Sequence, residues 1–203
     1  MPSNSNSKKL YLSSDKPWQA VYTTEEGYSL YKTEAPSSWK MAQFTKILRA
    51  IPSLQSQSSN GVGTEASLKD SFGLLAEIEY HTFHAARIRY GGEEKSADEF
   101  FSRKGFNVYG RNYIFTGHNG IEYVWKMESD KCKLFVNDSS NTPIANFHQM
   151  RRGFLHHARP AFLEIFGEDL DEHMIDLIVV TFVYMERFRK EQEIAVATAT
   201  ATA

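Results

Sequence analysis

Apolar and polar positions alternate in short stretches along most of the chain. Trp18, Ala20 and Tyr22 alternate with polar neighbours, and a turn at Glu26-Gly27 leads into Tyr28-Ser29-Leu30-Tyr31-Lys32. Segments 44–51, 74–82, 85–90, 109–116, 121–127, 133–136, 144–148 and 161–166 continue the series between turn residues. Tyr113/Phe115 and Tyr123/Trp125 keep the period of two of a half-buried strand. Between these pairs, Gly117-His118-Asn119-Gly120 holds an Asn-Gly step, which predicts a hairpin with a type I′ turn. Many short strands divided by turns predict a sandwich or barrel rather than a parallel sheet.

The pattern changes near the C-terminus. Ile175, Leu177, Ile178, Val179, Val180, Phe182, Val183, Tyr184 and Met185 cover nearly every direction around a helix, and a helix apolar all round must be buried on all sides. The β-branched content favours strand. A run of about 18 residues without a turn signal is nevertheless long for a strand and ordinary for a helix. Asp169 or Asp171 is placed to cap its start, Glu172 adds charge to the first turn, and Arg187, Arg189 and Lys190 suit its end. An all-β fold with one helix reconciles the two patterns.

The 203 residues suffice for one domain, with a loose polar N-terminus over 1–14, a domain over 15–191 and an Ala/Thr tail over 192–203. Within the domain, segment 52–71 is rich in Ser, Gly and Gln and reads as a long surface loop. The 23 basic and 25 acidic side chains give a net charge of -2, which argues against a nucleic-acid partner. The single cysteine, Cys132, excludes an internal disulfide and fits a reducing, cytoplasmic setting. No leader is legible, and the longest apolar run, about a dozen residues, falls short of the ~20 that cross a bilayer as a helix. Asn137-Asp138-Ser139 matches a glycosylation acceptor, which carries no weight without an export signal.

Catalytic signatures are scarce: no nucleophile elbow, Walker A loop, zinc-protease motif or dinucleotide fingerprint is present. His81 and His84 suit a metal only on a helix or tight turn, and the adjacent His156 and His157 do not converge on one ion. Neither metal nor cofactor is expected. Glu168, Asp169, Asp171 and Glu172 with His173 could hold a hard cation, but helix capping explains them. The lysines flanking Cys132 would favour its thiolate slightly. Asp176 lies inside the apolar run and needs hydrogen-bond partners or a cation if buried. The basic stretch 151–159 interleaves Arg151, Arg152, His156, His157 and Arg159 with Phe154 and Leu155. Arginines supply forked donors to phosphate oxygens, and exposed apolar side chains enter a bilayer interface. The same cations could instead pair with the acidic cluster that follows.

Three pieces carry a family resemblance: residues 27–32 (GYSLYK), 115–126 (FTGHNGIEYVWK) and 176–184 (DLIVVTFVY). In this order they resemble an uncharacterised fungal family, domain of unknown function 6593, itself similar to the tubby C-terminal and LURP-one-related superfamily. The resemblance runs from Tyr11 to Lys190. It implies a closed antiparallel β-barrel of about a dozen short strands around a buried hydrophobic C-terminal helix. Better-known members of that superfamily bind phosphoinositides or associate with membranes. No headgroup motif transfers residue by residue, and a fold does not fix a function.

The expected function is therefore a non-enzymatic binding module that engages an anionic phospholipid or phosphoinositide, peripheral to membranes and without a transmembrane segment. Arg151, Arg152, His156, His157 and Arg159 are its candidate site. A protein-interaction scaffold using the 52–71 loop is the alternative, and an enzyme at the barrel mouth using Asp176 or the histidines is a third reading.

Overall fold

Inward aliphatic and outward polar side chains alternate along most of the chain, and the backbone follows as strand. The computed structural model describes residues 7–36, 44–51, 71–81, 84–107, 110–151, 159–167 and 169–201. Its strands are β1 (Ser7–Leu12), β2 (Val21–Thr23), β3 (Ser29–Glu34), β4 (Phe44–Ala50), β5 (Phe72–Glu79), β6 (Arg87–Tyr90) and β7 (Glu93–Ser96). A short helix α1 (Ala97–Phe100) precedes β8 (Ser102–Asn107), β9 (Gly110–Thr116), β10 (Glu122–Met127), β11 (Cys132–Val136), β12 (Pro143–His148) and β13 (Phe162–Phe166). The long helix α2 (Glu172–Ala201) ends the described chain.

The thirteen strands form one sheet in the order β7-β6-β5-β4-β3-β2-β1-β13-β12-β11-β10-β9-β8. Every neighbouring pair is antiparallel. The antiparallel sheet and its helix are as expected, but the closure of the expected barrel is not confirmed: the sheet wraps α2, and among the described residues no hydrogen-bonded ladder joins its two ends. The cause is parity. In an odd series of antiparallel strands the first and last run the same way, so β7 and β8 could join only as a parallel pair. A parallel pair needs a crossover of about a dozen residues or more. Only Ala97–Phe101, mostly α1, separates β7 from β8. Ser96 caps α1 in a reciprocal capping box with Glu99, and Phe101 turns inward to stack on Tyr184 at 5.2 Å.

The sequence pattern understated both ends of the chain. The polar-looking SKKLYL stretch forms β1 because Leu10 and Leu12 fall on one face and are buried. Its backbone pairs with β13 from Ser7↔Phe166 to Tyr11↔Phe162. At the other end, α2 runs past Lys190 as helix to Ala201. Alanine is the strongest helix former, and the Thr198 hydroxyl donates to Ile194 O at 2.9 Å, which keeps the turn satisfied. The expected tail over 192–203 is thus largely an exposed helix.

The hairpin between β9 and β10 forms as expected, but on a different turn. Gly120 N–H donates to Gly117 O at 3.0 Å, and Gly117 N–H to Ile121 O at 2.8 Å. Gly120 alone adopts positive φ there (75°), whereas a type I′ turn needs two such residues. Gly117 answers a close approach: a Cβ would lie 2.8 Å from the Tyr123 ring and 3.1 Å from the Met174 sulfur.

Helix α2 fills the wrapped sheet. Asp171 caps it, its carboxylate accepting from Met174 N–H at 2.7 Å. Residues 176–187 are buried without interruption. Trp125 Nε1–H donates to Thr181 Oγ1 at 3.0 Å, and the Thr181 hydroxyl in turn donates to Leu177 O at 2.8 Å. Phe147 packs on Phe182 with ring centres 4.9 Å apart. Burial on every side overrides the strand preference of Ile178, Val179, Val180 and Val183. Among the described residues no helix is long and apolar enough to cross a membrane.

Candidate functional site

The basic segment singled out in the sequence joins β12 to β13. Its two ends are tied together: Arg151 N–H donates to Arg159 O and Arg159 N–H to Arg151 O, both at 3.0 Å. A pair that exchanges both backbone bonds in an antiparallel bridge stands directly opposite, with both side chains on one face. Arg152, His156 and His157 lie outside the described residues.

Arg159 continues into an aromatic stack on the outer sheet face. Its guanidinium lies 4.7 Å from the centre of the Phe162 ring. The His148 imidazole stacks on Phe162 at 4.2 Å with only 12° between planes, and Tyr11 packs on the same ring at 5.6 Å. His148 Nε2 lies 3.0 Å from Glu164, whose other oxygen accepts from the Ser7 hydroxyl at 2.9 Å. Burial lowers the His148 pKa, against the opposing pull of Glu164. Arg159 Nε is shut off from solvent and has no hydrogen-bond partner among the described residues.

This arrangement can receive an anion. Like charges directly opposite on a ladder destabilise it, and a shared counter-ion removes that cost. Two guanidinium forks on one face match the oxygens of a phosphate better than lysines would.

Most of the other residues flagged from the sequence serve structure. Asp176 is buried, and its carboxylate accepts from Tyr31 Oη and from Arg49, both at 2.7 Å. Burial and the neighbouring Asp176 together push the Tyr31 phenol far up. Glu172 completes this network by pairing with Arg49 at 2.6 Å. His81 and His84 sit on the β5–β6 connection beside a cleft of about 310 Å³. Among the described residues no group of three or more side chains could hold a metal ion. The lysines flanking Cys132 do not favour its thiolate: complete burial and then the Glu186 carboxylate push the thiol well above its ordinary value.

Sequence reasoning missed the collar where α2 leaves the sheet. Arg187 and Arg189, expected near the helix C-terminus, instead lie well before the end of α2 and are buried within the collar. Arg187 lies 3.8 Å over the Tyr80 ring and donates to Thr45 Oγ1, and Arg189 pairs with the buried Glu186 at 2.8 Å. Burial pushes the Glu186 carboxyl up, against the pull of Arg189. The signal available was Glu186 itself, an acid directly after an apolar run, three residues before an arginine.

A cleft of about 640 Å³ opens at the opposite end of the molecule, around the first turn of α2. The start of β1, the β2–β3 turn, the ends of β3 and β4, and Ile165 of β13 form its walls. Tyr31 and Arg49 of the Asp176 network also line it. A smaller cleft of about 300 Å³ opens between the β6–β7 hairpin and the end of β9, reaching Leu177 of the buried helix.

No curated protein matches the chain. A protein of Arabidopsis thaliana with an X-ray structure is similar over 90% of this chain and 93% of its own, with 15% identity and a TM-score of 0.46. The model of the family of unknown function DUF6593 matches residues 15–191, which span all of the sheet after β1 and α2 through its buried turns. The chain belongs to that family.

Proposed function

We propose that the protein is a non-enzymatic binding module that engages anionic lipid headgroups at a membrane surface through segment 151–159. The observation that carries this reading is the Arg151–Arg159 backbone pair, which sends two arginine side chains out from one face at the base of the segment. Arg159 Nε, desolvated and without a partner among the described residues, adds a donor in want of an acceptor. Arg152, His156 and His157 extend the same cationic segment, and Phe154 and Leu155 supply apolar side chains for the interface. The likeness to the tubby C-terminal and LURP-one-related superfamily supports the same reading, since its better-known members engage phosphoinositides or membranes. A cytoplasmic protein peripheral to membranes fits the lone, buried cysteine.

Co-sedimentation with phosphatidylcholine vesicles, with and without phosphatidylserine, tests the proposal at low and near-physiological salt. Binding should require the anionic lipid and weaken as salt screens the surface. The Arg151→Ala/Arg159→Ala variant should lose most of it while keeping its thermal transition. Equal binding to neutral vesicles, or unchanged binding of the folded variant, would remove the site.

A further inference from the structure

We infer that the first half of β5 is a docking edge, which takes an extended peptide of a partner protein with apolar side chains at alternate positions and a basic residue beside them. The edge arises from a turn. Gly91 and Gly92 both take positive φ (62° and 81°), the conformation of a two-residue hairpin turn. This tight turn ends β6 at Tyr90, opposite Ala76, and sends the chain back as β7. Strand β5 begins earlier, at Phe72, and β4 covers its other side from there on. Residues 72–75 therefore have a neighbouring strand on one side alone among the described residues.

The backbone of this stretch is turned towards the open side. Ile51 N–H donates to Ser71 O at 2.7 Å, which puts Ser71 and then Gly73 in hydrogen-bonded register with β4. By the alternation of an antiparallel ladder, the N–H and C=O groups of Phe72 and Leu74 point the other way. The side chains favour the same guest. Tyr31 and Ile47 are buried, so the intervening parity sets Leu30, Leu48 and Ala50 on the outer face, with Leu74 opposite Leu48 and Phe72 opposite Ala50. Leu74 is 63% exposed there. Strand addition draws affinity from main-chain bonds, and an added strand would set its own apolar side chains against Phe72 and Leu74.

The remaining free edges are guarded: β7 carries Glu93, Glu94 and Lys95, and β8 exposes Arg103 and Lys104. Charged side chains on an edge deter pairing, and residues 72–75 (FGLL) hold none. Charge enters at the hairpin instead. A groove of about 380 Å³ lies between Leu74 and Leu75 and the Gly91-Gly92 tip, and Glu77, Glu93 and Glu94 line it against one cation, Arg89. Adding Glu79, Arg87 and Lys95, which pair with these groups, leaves four acids against three bases. That excess favours Lys or Arg in the guest and disfavours a second copy, whose groove would bring the same charges.

Calorimetric titration of the full chain with the capped peptide Lys-Val-Thr-Val-Thr-Val-Lys tests the inference. The same peptide with Glu in place of Lys, and one with N-methylated valines, serve as controls. The lysine peptide should bind saturably at one site, and each control at least about tenfold more weakly. On saturation, amide hydrogen exchange should slow by about tenfold or more at Phe72 and Leu74 and stay unchanged at Gly73, which is already bonded to β4. Leu74→Pro removes an open-side donor and no bond to β4, and Leu74→Lys removes the apolar contact and guards the edge. Each should weaken binding by about tenfold or more. Position 74 is surface-accessible, so Leu74→Lys should keep the parent's circular dichroism melt, and it decides the matter if Leu74→Pro does not fold. Arg151→Ala/Arg159→Ala should leave the titration unchanged, so failure of the membrane reading does not touch this one. Absence of saturable binding, equal binding of either control, unchanged exchange at Phe72 and Leu74, or full retention in folded Leu74→Lys overturns the assignment. A dimer of the parent that is lost in Leu74→Lys also overturns it, and gives the edge to a second copy.

Discussion

Asp176, in the buried stretch of α2, and Arg49, on strand β4, meet at 2.7 Å although 127 positions separate them in the chain. This contact fixes the helix against the wall at one end. Tyr31 Oη holds the second carboxylate oxygen, so both oxygens of a buried anion are satisfied from the wall. Removing one partner of a buried pair leaves an uncompensated charge, which costs more than the pair itself contributes. Arg49→Met should therefore destabilise the protein by about 3 kcal/mol, the lower end for such pairs because Arg49 keeps a third of its side chain in solvent. Tyr31→Phe should cost roughly 1–2 kcal/mol. Urea unfolding of both single variants and the double variant checks this, and additive losses would show the three groups to be uncoupled.

Thr181 is the hinge of a second buried contact. Thr181→Val preserves the shape but leaves Trp125 Nε1–H without its acceptor in a fully buried site. The expected loss is about 1–3 kcal/mol, read from denaturant unfolding. A variant as stable as the parent would mean that the indole finds another acceptor.

Cys132 should be inert in the folded protein. Its thiol is buried and its pKa is pushed up by burial and by Glu186, so the thiolate needed for attack is scarce. Ellman's reagent should label it at neutral pH only after denaturant is added. Prompt labelling of native protein would contradict this burial.

His148 should make the protein acid-sensitive. Its folded pKa lies below the ordinary imidazole value of 6.5 because burial disfavours the charged ring. As pH falls through 6.5, the unfolded chain takes up the proton first, so unfolding is favoured. The contribution is fully present above that value and is lost as pH drops towards the folded pKa. His148→Gln removes the titrating ring, so its stability should fall less between about pH 7 and pH 5 than the parent's. Parallel stability curves would exclude His148 as the cause.

The last turns of α2 should be dispensable for folding. Residues 192–198 are exposed, with Ile194 and Val196 at 48% and 65%. Deleting 194–203 spares the pairs of Arg187 with Glu191 and of Arg189 with Glu193, so stability should change by no more than about 0.5 kcal/mol. A calorimetric melt measures the difference.

What the sequence disclosed follows the range of its signals. Period-two alternation exposed Tyr113/Phe115 and Tyr123/Trp125, and the unbroken apolar run exposed α2, because both patterns are local. Asp176 stood out as a charge among apolar neighbours. Its partners did not, since Tyr31 and Arg49 come together only through the register of β3 with β4, which alternation within each strand does not fix. Strands β7 (EEKS) and β8 (SRKGFN) carry too few apolar side chains to be read as strands. Without them the strand number, and hence the mismatch at the ends of the sheet, was out of reach. At the basic segment only the cluster of cations was legible, whereas the backbone bond between Arg151 and Arg159 depends on the pairing of β12 with β13.

Among the described residues the outer edges of β7 and β8 are unpaired, and this bears on how the molecule assembles. A ribosome delivers the whole lining before the rod that fills it, because α2 follows every strand in the chain. Were the wall a continuous ring, the late-emerging rod would have to be threaded through it or the ring torn to admit it. Here the wall can stand ajar along that one line, and the rod can enter sideways without rupturing a single inter-strand bond.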